Sequence, residues 1–277
     1  MRSYKMKKKS EYKLIAKNFL SHLSTRCHND HAGHRISKNS SLNYRCRSKF
    51  CMVSYNILEK TPFKGAKLEI WKIIRIYDCW LYGMKVKDIS FFLRINKNTV
   101  TRHLKSLEDC ITDNFYNNIE PLGGKNIIVE IDESKFGKVK YHRGHRVEGV
   151  WVFGMTERTA KRRIVVLPVP DRKKETLISI LMKYVKQDSI IYSDSFSSYS
   201  TIKEYFSIHK KVNHSLHFVD PVTRVHTNTI EGNWNGIKLT LPLRKRTKKL
   251  IGLQLIRFMI KRENPEDFLD KLLSYLK

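Results

Sequence analysis

The sequence lacks any run of about 18 apolar residues, which removes a membrane-spanning helix from consideration. Its start is basic (Lys5, Lys7, Lys8, Lys9), but no small-residue cleavage site follows an apolar core, so no secretory leader is expected. Cysteine is sparse, with five thiols at positions 27, 46, 51, 79 and 110. An odd, scattered set of this kind is no secreted disulfide framework and fits a reducing interior. Internal repeats and low-complexity segments are missing too. Acidic side chains are the most telling shortage: 26 Asp and Glu stand against 54 Lys and Arg, a net charge of +28 over 277 residues. Such an excess repels itself in a compact chain unless a polyanion is the partner. Neutralising nucleic-acid phosphates is the simplest use of it, with binding that weakens as salt rises.

At 41% hydrophobic, the chain can bury a core, and its length suggests about two domains. Residues 1–60 are polar and poor in periodicity. They hold Cys27, His28, His31, His34, Cys46 and Cys51, residue types that bind zinc. Neither half has a clean Cys-x-x-Cys, so a decayed, metal-free remnant is expected rather than a zinc site.

From Lys67 a helical stripe begins, with Ile70, Ile73, Ile74, Tyr77, Trp80 and Leu81 at three- and four-residue steps and Gly83 as the stop. Val86, Ile89, Phe92 and Leu93 predict a short helix, and Arg94-Ile95-Asn96 a turn. Asn96 can cap a third helix with Val100, Leu104 and Leu107 inward. Asn98, Thr101, Arg102 and Lys105 face outward, able to reach phosphates or base edges. This layout matches a helix-turn-helix as well as it matches an ordinary three-helix unit; the global charge favours DNA.

After the break at Pro121-Leu122-Gly123-Gly124 the period changes. Strands are predicted at Ile127–Ile131, ending at Asp132, at Val147–Met155, at Ile164–Val169 and at Ile190–Tyr192, leading to Asp194. Helices are predicted over Lys173–Val185 and near Tyr199–Phe206, followed by an apolar run at Leu216–Val219. The order implies an α/β fold, a mixed sheet flanked by helices.

Asp132 and Asp194 at two strand ends can meet at one sheet edge. Around Glu231 the positions Ile230, Trp234, Ile237 and Leu241 follow helical steps, with Thr227 or Asn228 as cap and Pro242 as the end. Glu231 thus projects from a first turn, near the positive end of the helix dipole. Lys238 lies two turns on. Three converging carboxylates suit two Mg²⁺ or Mn²⁺ ions, hard cations that prefer carboxylate oxygens and serve phosphodiester chemistry. Glu130 is the chief rival acid, since it shares a strand face with Asp132, whereas Glu133 faces away. His226 is read first as a surface or capping residue. A basic hairpin with Lys138, Lys140, Arg143 and Arg146, together with His142 and His145, suits the DNA backbone as well as it suits a solvated loop. Arg244, Lys245 and Arg246 form another basic run, a phosphate contact or an import signal.

At these residues the chain resembles the Merlin-type DDE transposases and the related bacterial insertion-sequence transposases. The resemblance lies in Val129-Glu130-Ile131-Asp132-Glu133-Ser134, in Tyr192-Ser193-Asp194-Ser195, and in His226-Thr227-Asn228-Thr229-Ile230-Glu231-Gly232-Asn233-Trp234. Arg257-Phe258 and Arg262-Glu263-Asn264 are similar to the family's closing helix. The resemblance implies an RNase-H-like catalytic domain at 121–264 with Asp132, Asp194 and Glu231 as metal-binding triad and Lys238 as the downstream lysine. Ahead of it stand a basic segment with a degenerate zinc ribbon (1–60) and a helix-turn-helix region (61–120), and behind it a helical tail (265–277). Metal-dependent cleavage of transposon ends and strand transfer into target double-stranded DNA follow from it, as does a homo-oligomer. The expected compartment is the nucleus in a eukaryote and otherwise the cytoplasm. The competing readings are a catalytically inactive, domesticated DNA-binding descendant and a structure-specific nuclease on the same fold.

Overall fold

The computed structural model describes residues 7–36, 42–137, 149–213, 216 and 218–276. The chain divides into two compact units. One comprises Met1–Phe115 together with Asp267–Lys277, and the other Tyr116–Glu266.

The first unit opens with a helix, α1 (Lys9–Ser21), whose buried Tyr12, Ala16 and Phe19 recur at helical steps. This differs from the aperiodic segment expected at the N-terminus, because interspersed lysines dilute the apolar stripe. An antiparallel sheet follows, β1 (Gly33–Arg35), β2 (Asn43–Cys46) and β3 (Ser54–Asn56), in the order β1-β2-β3. Helices α2 (Ile70–Leu81), α3 (Val86–Leu93) and α4 (Lys97–Asn117) come next. The apolar stripe of α2 is buried, and Gly83 stands just past it at φ 86°, a left-handed stop. Arg94 makes the α3–α4 turn at φ 53°, and Asn96 Oδ1 accepts the Asn98 N–H at 2.8 Å, capping α4. Phe92, expected inward, is 47% exposed and lies under the Arg75 guanidinium. The segment expected as a tail forms α8 (Phe268–Ser274), whose Phe268 packs edge-on against Tyr82.

In the second unit, five strands form one mixed sheet: β4 (Ile128–Phe136), β5 (Val150–Glu157), β6 (Ile164–Val169), β7 (Ile190–Asp194) and β8 (Ile208–Val212). Their order is β6-β5-β4-β7-β8. The pairs β4/β5 and β5/β6 are antiparallel, and β4/β7 and β7/β8 are parallel. Helix α5 (Lys174–Tyr184) covers one face, where Leu177, Leu181 and Tyr184 join Val129, Ile131, Phe153 and Ile191 in one core. The other face receives α6 (Asn228–Thr240) and α7 (Ile251–Glu263), whose Met259 sulfur accepts the Val166 N–H. The fold is therefore α/β with a mixed sheet flanked by helices.

Three local expectations change. Strand β4 runs four residues past Asp132, because alternation continues through buried Ser134 and Phe136. In place of a helix near Tyr199–Phe206 the chain makes two 3₁₀ turns, Ser197–Tyr199 and Ile202–Glu204. Leu216 and Phe218, from the apolar run, are 70% and 79% exposed, and the last strand is the charged Ile208–Val212 instead. Among the described residues no helix is long and apolar enough to cross a membrane.

Candidate active site and candidate metal centre

The site is built on β4. Its odd positions Val129 and Ile131 enter the α5-side core, so its even positions Glu130, Asp132, Ser134 and Phe136 face α6. Parallel pairing sets Glu130 opposite Tyr192 on β7. Two residues further along each strand stand Asp132 and Asp194, so the register brings both aspartates to one edge.

Helix α6 delivers the third acid, and its placement depends on Glu130. This carboxylate is fully buried. Its Oε2 accepts the Thr229 and Ile230 N–H groups at 2.8 and 2.9 Å, and its Oε1 meets Arg158 Nε at 2.5 Å. Orphan amides at a helix start need acceptors, and a carboxylate there also opposes the helix dipole. The cap therefore comes from the sheet, not from the side chain of Thr227 or Asn228. Thr227 Oγ1 instead donates to Glu231 Oε1 at 2.8 Å and orients the acid. Glu130, the rival acid, is a positioning residue with both oxygens engaged.

Trp234 ties the same helix to Asp132: its indole N–H donates to Asp132 Oδ2 at 2.8 Å. The indole fits because Gly154 lies opposite Asp132 on β5. A Cβ there would stand 2.5 Å from the ring, closer than side-chain atoms tolerate. Sequence reasoning misses this glycine; its place inside an apolar strand, between Phe153 and Met155, is the available sign.

Burial pushes the Asp132 carboxyl up to about 6, against the Trp234 hydrogen bond, and the charges of Asp194 and Glu231 push the same way. Glu133, on the opposite strand face, accepts the Tyr199 hydroxyl at 2.6 Å. Burial raises it to about 7, with Asp132 and Asp194 adding to the rise. Asp194 and Glu231 thus act on Asp132, and Asp132 and Asp194 on Glu133, an arrangement of like charges that suits a cation. Asp194 Oδ1 also accepts the Phe196 N–H at 3.0 Å, which fixes its rotamer. Nearby, the Arg172 guanidinium stacks 3.7 Å from the Trp151 ring centre and 4.9 Å from that of Phe196.

Lys238 lies on α6 beyond Trp234, its Nζ 5.6 Å from the Phe136 ring centre, near the far end of β4. Arg246, counted among the DNA contacts, has a structural use: its guanidinium donates to the Lys238 and Leu241 carbonyls at the end of α6. Arg244 is exposed and Lys245 half-buried. Lys138, Lys140, Arg143 and Arg146, with His142 and His145, lie outside the described residues. In the first unit Asn98, Thr101, Arg102 and Lys105 are all exposed on α4, opposite buried Val100, Leu104 and Leu107. Lys105 is paired with Asp109 at 2.6 Å. His226 is a capping residue: its Nδ1 meets Arg158 Nη2 at 2.8 Å and accepts the Asn228 N–H at 3.3 Å.

The cysteine cluster is compact in space. Cys27, His31, Cys46 and Cys51 bring one ligand atom each within 4.8 Å of one another. The Cys27 sulfur is 3.8 Å from that of Cys46 and 3.9 Å from that of Cys51. Tetrahedral bonds of about 2.3 Å to zinc place sulfurs about 3.8 Å apart. Two tight turns create the group, one closed by Cys27 N–H to the His31 carbonyl and one by Cys51 N–H to the Ser48 carbonyl. The Ser48 N–H also points at the Cys46 sulfur. A hydrogen bond with His31, ahead of backbone and Asn29 contacts, lowers the Cys51 thiol to about 6. In space these four residues form a group that could hold a metal ion, and His28 and His34 lie outside it. Among the described residues the carboxylates do not draw in to that spacing.

Comparison with known proteins finds similarity over part of the chain. Residues 121–241 match the family model described as the ISXO2-like transposase domain. A relative from Haemophilus influenzae, described as an uncharacterized transposase-like protein, is 35% identical over 78 residues. That match covers 28% of this chain and 62% of the relative, under two thirds of the relative's own length. Both are similarities to proteins described as transposases, and neither spans half of this chain. The segment similar to the ISXO2-like transposase domain is the one that carries Asp132, Asp194, Glu231 and Lys238.

Proposed function

We propose that this chain is a DDE transposase, with an RNase-H-like catalytic sheet and a helix-turn-helix at α3–α4, that cuts double-stranded DNA at transposon ends and joins them to a target. The observation that carries the reading is the register that sets Asp132 beside Asp194, with Glu231 close enough to raise Asp132. The strand order, three antiparallel strands followed by two parallel ones, supports it. So do the similarity over residues 121–241 and the surplus of basic side chains.

The donor set fits divalent cations: three carboxylates, mutually repelling and partly desolvated, with no positive side chain paired to Asp132 or Asp194 among the described residues. Two Mg²⁺ or Mn²⁺ ions held by Asp132, Asp194 and Glu231 would activate the attacking oxygen and stabilise the leaving one. The chain's own residues do the rest. Trp234 and Thr227 fix the rotamers of Asp132 and Glu231, and Glu130 with Arg158 holds the start of α6 to the sheet. Lys238 extends the acid edge with a positive charge that can meet a phosphate. Exposed Asn98, Thr101 and Arg102 on α4 serve end recognition. Pairing of ends makes the working form a homo-oligomer.

In the first unit, Cys27, His31, Cys46 and Cys51 would hold one structural zinc, the reading their sulfur spacing favours.

The deciding experiment incubates the chain and Asp132→Asn with DNA from the flanks of its gene, with Mg²⁺ or Mn²⁺. Nicking and joined products are expected from the parent, and neither from the variant, while DNA binding persists. Cutting by Asp132→Asn overturns the assignment; binding without cutting by the parent favours an inactive DNA-binding descendant, and cutting without joining favours a nuclease.

A further inference from the structure

Behind α6 lies a cavity that the carboxylate chemistry does not use. Its walls are the β5–β6 turn, with Arg158 and Arg162, the start of α6, with His226 and Asn228, and Arg262 from α7. On the helix, Asn228, Thr229, Gly232 and Asn233 line this side. At about 100° per residue Thr229, Gly232 and Asn233 lie about 100° or more round the axis from Glu231 and Lys238, with Asn228 of the first turn between the two sides. The cavity and the acid edge are therefore served by different sides of one helix.

Its electrostatics are one-sided, for no carboxylate lines it. Glu130, the acid that Arg158 meets, has its oxygens taken by Arg158 Nε and by the α6 amides. Arg158 is held in place: Nη2 donates to the His226 carbonyl at 2.8 Å and meets the His226 ring at 2.8 Å. Arg162 and Arg262 form no ion pair among the described residues, yet they are held together, Arg262 Nε donating to the Arg162 carbonyl at 3.1 Å. The Arg162 backbone sits at φ 46°, a left-handed conformation that costs a long side chain energy. Burial and the charge of Arg162 both disfavour the charged form of Arg262. Gathering like charges without a counter-charge is unfavourable, and a phosphate relieves it with bidentate hydrogen bonds. Room exists for one: a Cβ on Gly232 would meet nothing within 4 Å.

We propose that this cavity binds a backbone phosphate of the nucleic acid, through Arg162 and Arg262 with Arg158 pre-set beside them, as a contact separate from the carboxylate edge. The proposal rests on the reading that DNA is the substrate, and names where one strand is gripped while α6 presents Glu231 from another side.

Fluorescence anisotropy with a labelled DNA duplex, in EDTA and across a salt series, tests it without any chemistry. Arg162→Gln/Arg262→Gln is compared with Lys210→Gln/Lys211→Gln, an exposed pair on β8 carrying the same charge. The cavity variant is expected to bind about tenfold or more weakly. Its plot of log affinity against log salt should be shallower by about 0.9 for each phosphate no longer neutralised. The single variant Arg162→Gln, at an exposed position, should show about half that change in slope and keeps the test open if the double variant misfolds. Affinity and slope equal to the parent's, or a loss no greater than that of the β8 pair, overturn the cavity and leave the transposase reading standing. Weakened binding by the cavity variant in a parent that never cuts supports the cavity and counts against the enzyme. A parent that binds no DNA removes both.

Discussion

The Cys27–His31–Cys46–Cys51 group and the Asp132–Asp194–Glu231 edge both gather ligand-type side chains, and they do so by different means. In the first unit, short turns fold soft ligands onto one point, and the sulfurs already stand at tetrahedral spacing. In the second, strand register and an anchored helix bring hard ligands to one edge, where burial, with the charges of Asp194 and Glu231 behind it, raises Asp132. A closed soft set is suited to holding a fold together. An open hard set keeps sites for water and substrate, which is what phosphoryl transfer requires.

The largest effect should come from breaking the soft set. Structural zinc contributes apparent free energies on the order of 10 kcal/mol in small domains. Cys46→Ser, or a strong chelator, is therefore expected to expose the amides of β1–β3 to hydrogen exchange while β4 and β7 stay protected. Unchanged protection in β1–β3 would leave the four side chains without a structural use.

Next in size is the anchor under the hard set. Glu130→Ala leaves Arg158 without its buried partner and α6 without its cap, at a cost of about 3–5 kcal/mol in urea unfolding. A loss below about 1 kcal/mol would show that α6 is held by apolar packing alone.

The smallest effect has a sign that sharpens the contrast. The folded pKa of Asp132, about 6, lies above its ordinary 3.8, so the stability it contributes is full below pH 3.8 and is lost as pH rises through 6. Glu133 acts likewise from 4.5 up through about 7. In EDTA, Asp132→Asn should melt higher than the parent at pH 7.5, by about 1–2 kcal/mol once partial exposure is discounted, and no higher near pH 3.5. Thermal melts across that range decide it; a variant less stable at pH 7.5 would mean that the Trp234 hydrogen bond to the carboxylate outweighs the cost of burying its charge.

Much of the hard site is legible in the sequence because its signals are local. Ile230, Trp234, Ile237 and Leu241 announce α6, and all four are buried. The apolar runs of β4 and β7 point to their aspartates. What stays hidden depends on distant partners. Glu130 reads as a possible ligand until Thr229 and Ile230, a hundred residues on, are seen to use it. Strand β8, Ile-His-Lys-Lys-Val, has the composition of a loop and becomes a strand only by pairing with β7. The soft set is hidden by spacing, since His31 supplies a ligand after a three-residue gap and four residues separate Cys46 from Cys51. Helix α1 is a simpler case: Tyr12, Ala16 and Phe19 carry a helical period, and the lysines between them dilute it.

The hydrogen bond from Trp234 to Asp132 has a practical consequence. An indole whose N–H rests on a carboxylate emits according to the charge on that oxygen. The protein thus carries a natural optical reporter at its acid edge, against a background of only three other tryptophans, Trp71, Trp80 and Trp151. Protonation or ion occupancy at Asp132 can be followed in the unlabelled chain by its own fluorescence, before any DNA is added.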